Sequence, residues 1–234
     1  MKKKLYLNWS SGKDCTLSLY HLKKSEEYKV DLLLTSISKD LERVSMHGLH
    51  KSLLAAQAKA IDLPLELLEI PESPTMNTYN EVMQKKVDSL IARGYQHTAF
   101  GDIFLEDLRQ YREEQLEKVG IKAHFPLWKK DTKELMSQFL DLGFKAVVVC
   151  ANAKWFDKTA IGLTIDHEWL NQLPDEVDPC GENGEFHTFC YDGPLFKVEV
   201  QFKQGTPILK SYPDPIDNNK TIDFWFADLK AVDG

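Results

Sequence analysis

The chain lacks several features that mark whole classes of protein. None of the apolar runs in its 234 residues approaches the roughly 20 residues that a membrane-spanning helix requires. Its four cysteines form no Cys-x-x-Cys pair, which argues against a zinc knuckle and against a dense disulfide framework. With a formal net charge of −7, the chain lacks the excess of basic residues on which broad nucleic-acid binding depends. Internal repeats and low-complexity segments are also absent.

The start of the chain is basic, but the apolar stretch that follows it is too short for a signal peptide. We therefore expect a cytoplasmic protein whose thiols are reduced. The hydrophobic fraction of 43% and the charged fraction of 28% are ordinary for a globular protein. A length of 234 residues suffices for one main domain with a smaller appendage.

Strand-like and helix-like segments alternate from the start of the chain to Ala153. Continuous apolar runs such as Val30–Ser38 and Phe144–Ala153 are typical of strands covered on both faces, and amphipathic stretches such as Asn77–Gly94 separate them. The alternation predicts a doubly wound parallel α/β sheet. Ligands of such sheets bind at the carboxyl ends of the strands, so candidate site residues are sought there.

The pattern changes near Asp157. A short helix before Pro174 and a glycine-rich loop over residues 178–189 are followed by three strand-like runs, at 195–202, 207–212 and 221–228. These segments predict a smaller subdomain of mixed α+β structure that completes the cleft. We place the domains at residues 1–155 and 156–234.

The hexapeptide Ser10-Ser11-Gly12-Lys13-Asp14-Cys15 lies between the first strand and the first helix. Gly12 permits close approach to the backbone, the amides at a helix N-terminus attract anions, and Lys13 adds positive charge. A plain turn capped by Ser11 or Asp14 would explain the same residues. The common P-loop, Gly-x-x-x-x-Gly-Lys-Ser/Thr, is absent.

The spacing of this loop resembles the PP-loop, Ser-Gly-Gly-x-Asp-Ser, of the N-type ATP pyrophosphatases, which cleave ATP between its α- and β-phosphates. Ser11 stands where that pattern has its first glycine, and Cys15, a poorer hydrogen-bond donor, where it has its last serine. Three further blocks, 44–65, 100–132 and 177–196, resemble in order those of the diphthine–ammonia ligase-like family within that superfamily. The resemblance covers residues 5–197.

The resemblance implies a HUP-like fold, use of ATP and Mg²⁺, and adenylation of a carboxylate or amide acceptor that ammonia then attacks. Two departures, the segment 101–113 and His187 in place of a glutamate, are similar to a branch described as adenine-nucleotide α-hydrolase-like. Hydrolysis without an amide product therefore stays open, as does a nucleotide-binding regulator without turnover. The missing Cys-x-x-Cys pair and the acidic charge argue against a tRNA sulfur transferase. Base rates favour a homodimer.

Charged side chains crowd the segment that follows the strand ending near Gly101. Arg109 and Arg112 share a helical face and could clamp phosphates or a substrate carboxylate, and Asp102 could hold Mg²⁺. A solvated helix face with i,i+4 ion pairs explains the same charges. In the block 177–196, His187 is a candidate general base or a structural histidine.

The sequence and the resemblance together select three sets of site residues. The candidate catalytic residues are Lys13, Asp14, Asp102, Arg109, Glu182, Glu185 and His187. The candidate nucleotide-binding residues are Ser10, Ser11, Gly12, Lys13, Asp14, Cys15, Ser36, His47 and Gly101. The candidate Mg²⁺ ligands are Asp14 and Asp102.

Overall fold

The computed structural model describes residues 2–44, 47–71, 75–214, 217 and 219–232, so Ser45 and Met46 of the block 44–65 lie outside the described residues. Its elements to residue 141 are β1 (Lys3–Asn8), α1 (Lys13–Lys24), β2 (Tyr28–Ser38), β3 (Arg43–Val44), α2 (Lys51–Ile61), β4 (Leu65–Ile70), α3 (Met76–Ala92), β5 (His97–Ala99), α4 (Glu106–Glu117), β6 (Lys122–His124) and α5 (Thr132–Asp141). The remaining elements are β7 (Lys145–Asn152), a 3-10 turn (Lys158–Ala160), α6 (His167–Asn171), β8 (Phe186–Asp192), β9 (Phe202–Gln204), β10 (Ile208–Pro213), β11 (Thr221–Phe226) and β12 (Leu229–Ala231).

Five of these strands form a parallel sheet in the order β4-β2-β1-β5-β6, and β3 pairs antiparallel with the end of β2. Alternate residues of β1 serve opposite faces of this sheet, as the period of a strand dictates. Leu5 and Leu7 pack into the cluster that contains buried residues of α1, α2 and α5. Tyr6 packs into a second cluster with α3 residues. Helices therefore cover both faces, which confirms the predicted doubly wound parallel α/β sheet.

Lys145–Asn152 does not join the parallel sheet, contrary to the prediction for residues 144–153. This strand, β7, pairs antiparallel with both β8 and β11 in a second sheet of order β10-β11-β7-β8. A continuous apolar run indicates burial on both faces but carries no information about the direction of the neighbouring strands. The predicted division at residues 155 and 156 stays a prediction.

Two further expectations for the C-terminal part were wrong in detail. Residues 195–201 do not form a strand. Their backbone makes isolated hydrogen bonds instead of a ladder, such as the 2.7 Å bond from the Lys197 amide to the Ala60 carbonyl. The glycine-rich loop ends earlier than predicted, and β8 begins at Phe186 because its backbone pairs with β7.

Among the described residues, no helix is long and apolar enough to cross a membrane.

Candidate active site

A cleft of about 650 Å³ opens at the carboxyl ends of β1, β2 and β5, the edge at which the sequence placed the site. The turn before β8 closes it from the side of the second sheet. The predicted residues that line the cleft are Ser10, Lys13, Asp14, Cys15, Ser36, His47, Gly101, Asp102, Glu182 and His187. Ser11, Gly12, Arg109 and Glu185 are not among its lining residues.

The N-terminus of α1 points its first turn at this cleft. Gly12 is the cap residue, with extended backbone and no side-chain cap, so neither Ser11 nor Asp14 caps the helix. The amide of Lys13 donates to Oγ1 of Thr188 in β8 at 3.0 Å. The Ser10 hydroxyl accepts from the Gly12 amide at 3.4 Å. A helix N-terminus of this kind is an anion-binding arrangement.

Ser11 has a left-handed backbone, with φ of 74°, at the position where the PP-loop pattern has glycine. Its carbonyl accepts hydrogen bonds from Nε2 of Gln57 at 3.0 Å and from the amide of Cys190 at 2.9 Å. These two bonds hold the peptide in the conformation that glycine adopts most readily. The Ser11 hydroxyl is buried and has no hydrogen-bond partner among the described residues.

Cys15 occupies the position of the last PP-loop serine. Its thiol donates to the Gly12 carbonyl at 3.1 Å and lies 3.3 Å from the Ser10 hydroxyl. Burial raises the pKa of this thiol to about 11, so it is protonated at neutral pH. The side chain therefore braces the loop as a neutral group while it lines the cleft.

Lys13 joins the loop to the turn that precedes β8. Its ammonium lies 2.8 Å from Oδ2 of Asp14 and donates to the carbonyl of Cys180. The same group lies 5.3 Å from the centre of the Phe186 ring. Burial alone would lower the pKa of Lys13, but the charge of Asp14, its hydrogen bond and the acidic groups of Cys180 and Glu182 together outweigh burial and raise the pKa above its ordinary value. Lys13 is therefore a buried, permanently charged cation at the floor of the cleft.

Two carboxylates, Asp14 and Asp102, face the same space from α1 and from the end of β5. Burial raises the pKa of both groups, and Lys13 and Arg112, respectively, oppose that shift. The charge of Asp14 also raises the pKa of Asp102, which shows that the two groups repel each other across the cleft. Gly101 allows this approach, since a Cβ there would lie 3.0 Å from the backbone nitrogen of Cys15.

The two arginines of α4 have different positions. The guanidinium of Arg109 lies 4.5 Å from the Trp128 ring centre and 5.0 Å from that of Phe125, and its Nε donates to Glu113 at 3.0 Å. Arg112, which the predicted set omitted, lines the cleft and is paired with Asp102. The signal for it was available: Leu105, Leu108 and Arg112 have the i, i+3, i+7 spacing of one helical face, and all three line the cleft.

The two glutamates of the turn before β8 point in opposite directions. Glu185 is 4% exposed and accepts hydrogen bonds from the amides of Asp178 at 3.0 Å and Asn183 at 2.9 Å. Glu182 reaches the cleft and accepts from the amide of Ile103 at 3.1 Å. Burial, reinforced by the charge of Asp14, raises the pKa of Glu182 to about 7. Glu182 is thus poised to exchange a proton near neutral pH, whereas Glu185 braces the turn.

His47 and His187 stack on each other at the wall of the cleft, with ring centres 4.7 Å apart and an interplanar angle of 30°. Nδ1 of His47 lies 3.3 Å from the carbonyl oxygen of Thr188. Burial, with a smaller contribution from Lys13, lowers the pKa of His187 to about 4, and burial also lowers that of His47. Both rings are therefore neutral at pH 7.

Family models account for most of the chain. The model described as the diphthamide synthase N-terminal domain matches residues 3–123, and that of the diphthamide synthase C-terminal domain matches residues 131–212. The boundary between the two matches falls between β6 and α5. Both matches confirm the resemblance that the sequence blocks indicated.

Curated relatives match shorter stretches. A diphthine–ammonia ligase of Schizosaccharomyces pombe is 28% identical over 92 residues, which is 38% of this chain and 15% of the relative. The human diphthine–ammonia ligase is 28% identical over 113 residues, 46% of this chain and 42% of the relative. The matched stretches therefore span less than half of these relatives. Among solved structures, a U34-tRNA thiolase of Methanococcus maripaludis has a TM-score of 0.37 at 16% identity, over 60% of this chain and 57% of that one.

Proposed function

This chain belongs to the diphthamide synthase family, and from that premise we propose that it is an ATP-dependent, AMP-forming ligase that joins ammonia to a carboxylate acceptor. One observation carries the proposal. The N-terminus of α1, the cation of Lys13, two carboxylates and a glutamate with a pKa of about 7 all face one cleft. Anion binding, metal binding and proton transfer are the three capacities that such a reaction requires.

In this proposal the triphosphate of ATP lies over residues 10–15. The N-terminus of α1, apart from the Lys13 amide that donates to Thr188, and the Ser10 hydroxyl face the phosphates, while the ends of β1 and β2, with Ser36, border the nucleoside. The ring of His47 forms the adjoining wall. Gly12 and Gly101 keep this surface free of side chains, because a Cβ at Gly12 would lie 3.2 Å from Cε1 of His47.

The carboxylates Asp14 and Asp102 fit a Mg²⁺ ion beside the phosphates. Both are acceptors on the same cleft. Burial is the main cause of the raised pKa of Asp102, and a divalent cation would relieve the repulsion from Asp14 that adds to it. Within the described residues, no group of three or more His, Cys, Asp or Glu side chains forms a metal site. Mg²⁺ would therefore take its other ligands from phosphate oxygens and water, as it usually does, and would supply charge neutralisation.

The first step of the proposed reaction forms an acyl adenylate. A carboxylate oxygen of the acceptor attacks the α-phosphorus, the bond from that phosphorus to the bridging oxygen breaks, and pyrophosphate leaves with the electron pair. Lys13 and the amides of α1 stabilise the charge that grows on pyrophosphate. Arg112, held over the Phe100 ring at 4.3 Å, is placed to orient the acceptor.

The second step releases AMP. Ammonia attacks the acyl carbon, the carbon–oxygen bond to the adenylate breaks, and one proton leaves the nitrogen. Glu182 is the base that this proposal assigns, because its pKa of about 7 matches the working pH. His187 is neutral and stacked on His47, so in this proposal it forms part of the cleft wall. It is the alternative base if Glu182 does not take the proton.

The acceptor of this chain need not be that of its relatives. Both departures from the ligase pattern, the segment 101–113 and His187, contribute side chains to the cleft. The acceptor can be a protein-borne carboxylate, as the names of the relatives suggest, or a small carboxylate. Departures at the cleft favour hydrolysis as the second candidate function, since an altered acceptor site leaves water as the nucleophile.

The test uses the whole chain with Mg²⁺ and ATP labelled at the α-phosphate, with and without ammonium and a cell extract that supplies acceptors. AMP that depends on extract and ammonium supports the ligase, and AMP formed without them supports the hydrolase. ADP as the product contradicts the proposal. Saturable ATP binding without turnover, lost in Asp14→Ala, would point to a nucleotide-binding regulator.

A further inference from the structure

Asp178 organises the turn that closes the cleft, although it is not among the residues that line it. Its Oδ1 accepts hydrogen bonds from the amide of Cys180 at 2.8 Å and from that of Glu182 at 3.2 Å. Its Oδ2 accepts from the hydroxyl of Thr132 in the first turn of α5 at 2.7 Å. One carboxylate therefore fixes two alternate amides of the turn and ties them to the first turn of α5.

Both residues whose amides Asp178 holds contribute a group to the site. The carbonyl of Cys180 accepts from the ammonium of Lys13. The carboxylate of Glu182 reaches the cleft and accepts from the amide of Ile103. A shift in the backbone between these two residues would therefore displace Lys13 and Glu182 together.

A second carboxylate, that of Glu185, holds the backbone at Asp178 and Asn183. Oε1 of Glu185 accepts from the amide of Asp178 at 3.0 Å and from Nδ2 of Asn183 at 3.1 Å, and its Oε2 accepts from the Asn183 amide at 2.9 Å. Gly181 completes the turn with φ of +70°, and a Cβ there would lie 2.6 Å from the carbonyl oxygen of Phe186. The turn is thus wound tightly around two carboxylates, with little freedom to move.

We propose that Asp178 is a positioning residue, which sets the location of Glu182 and Lys13 without touching the substrates. The inference rests on the proposed function, because Glu182 and Lys13 have catalytic roles only if the cleft cleaves ATP. Hydrogen bonds from amides to a carboxylate are stronger than those to a neutral acceptor, which suits a residue that must hold a loop in one geometry. A displacement of about 1 Å at reacting groups can cost on the order of 100-fold in rate.

The first experiment compares Asp178→Ala with Asp178→Asn. The asparagine oxygen can still accept from both amides, and its amide group can donate to the Thr132 hydroxyl. We expect kcat for AMP formation to fall on the order of 100-fold in the alanine variant and less than about 5-fold in the asparagine variant. The KM for ATP should rise by a smaller factor than kcat falls in the alanine variant, because Asp178 acts on Lys13 only through the Cys180 carbonyl, and it should change less than about 3-fold in the asparagine variant. An alanine variant that keeps the wild-type kcat overturns the proposal.

The second measurement does not require turnover. The ammonium of Lys13 is buried and hydrogen-bonded, so it should give a slowly exchanging signal in ¹⁵N-lysine NMR, identified by its loss in Lys13→Arg. We expect this signal to persist in Asp178→Asn and to broaden or vanish in Asp178→Ala. An unchanged signal in a folded alanine variant contradicts the inference. If the wild type cleaves no ATP, the proposed function fails while this arm still decides the positioning role.

The alanine variant can fail to fold, and Thr132→Val then provides the test. It removes only the hydroxyl that bonds to Oδ2 of Asp178 and nearly preserves side-chain volume. We expect a roughly 3- to 10-fold loss of kcat with a smaller change in the KM for ATP, together with a shifted Lys13 signal. A wild-type kcat and an unshifted signal in this variant would contradict the positioning role.

Discussion

Lys13 and Asp14 are chain neighbours whose side chains form an ion pair at the head of α1, with Nζ 2.8 Å from Oδ2. The lysine side chain is 3% exposed and the aspartate side chain 28%. The same ammonium donates to the Cys180 carbonyl, so it joins the loop at residues 10–15 to the turn before β8. Lys13 therefore both supplies positive charge and joins the two parts of the site.

Lys13→Met should destabilise the protein as well as the nucleotide complex. The substitution leaves the Asp14 carboxylate and the Cys180 carbonyl without their cationic partner in a largely buried place. We expect the free energy of unfolding to fall by about 3 kcal/mol, measured by urea denaturation. Lys23→Met, at an exposed lysine of the same helix, should change it by less than about 0.5 kcal/mol. Equal losses in the two variants would contradict the role of the ion pair.

Ser11→Gly should stabilise the protein. The left-handed backbone at φ of 74° costs a serine about 1 kcal/mol more than a glycine, and the buried hydroxyl has no partner among the described residues. We expect a gain of about 1 kcal/mol, seen as a rise in Tm of about 2–4 °C. Ser10→Gly is the matched control and should not stabilise, because the Ser10 hydroxyl accepts from the Gly12 amide. If Ser11→Gly instead weakens ATP binding, the hydroxyl contacts the nucleotide.

Gly101→Ala should weaken ATP binding. The added Cβ would lie 3.0 Å from the backbone nitrogen of Cys15 and 3.1 Å from the carbonyl carbon of Asp14, and no side-chain rotation can relieve a contact with backbone. The first turn of α1 must move, so we expect roughly 10-fold weaker binding by calorimetry and about 1–3 kcal/mol lower stability. Gly120→Ala meets no atom within 4 Å and carries only the strain of φ at +73°. It should lower stability without changing ATP affinity.

The sequence predicted the parallel sheet because its signals are local. Apolar runs, amphipathic helices and a loop at a strand end specify β1, α1 and their neighbours without any reference to distant residues. The pairing of β7 with β8 and β11 depends on contacts between segments far apart in the chain, and a periodicity contains no record of them. For this reason the apolar pattern alone predicts the wrong sheet for the buried strand at 145–152.

The candidate site shows the same division. Strand-end positions correctly brought Asp14, Asp102 and His47 to one cleft, because parallel strands end at a common edge. The opposite orientations of Glu182 and Glu185 could not be predicted, since both lie in one irregular turn whose hydrogen bonds decide them. Their roles in catalysis stay predictions until the variants are measured.

Glu182→Gln should have opposite effects on activity and stability. The pKa of Glu182 is raised by burial to about 7, above its value of about 4.5 in the unfolded chain, so folding favours the protonated form. Its contribution to stability is therefore full below pH 4.5 and is lost as the pH rises through about 7. The glutamine variant should be roughly 1–3 kcal/mol more stable than wild type at pH 8.

The same titration should appear in the rate. A base must be ionised, so wild-type AMP formation should rise with pH up to about pH 7 and then level off. Glu182→Gln should lower the rate by at least about 100-fold and remove this limb of the pH profile. Glu176→Gln, at an exposed residue outside the cleft, is the control. A pH limb that survives in Glu182→Gln would assign the base to another group.

His97 and His124 predict a loss of stability in mild acid that is independent of the cleft. Nδ1 of His97 lies 2.9 Å from Nε2 of His124, so one ring donates to the other, and a second proton between these two nitrogens would break that hydrogen bond. Burial, with the charge of His97, lowers the pKa of His124 to about 4. A folded-state pKa below the unfolded value of 6.5 means that this stabilisation is present above pH 6.5 and is lost as the pH falls from there through about 4.

Urea denaturation between pH 7.5 and pH 4.5 tests this prediction. The free energy of unfolding should depend less steeply on pH in His124→Gln than in wild type, whereas His167→Gln, at an exposed histidine, should follow the wild-type curve. Parallel curves for wild type and His124→Gln would show that the pair takes up its proton in the folded state.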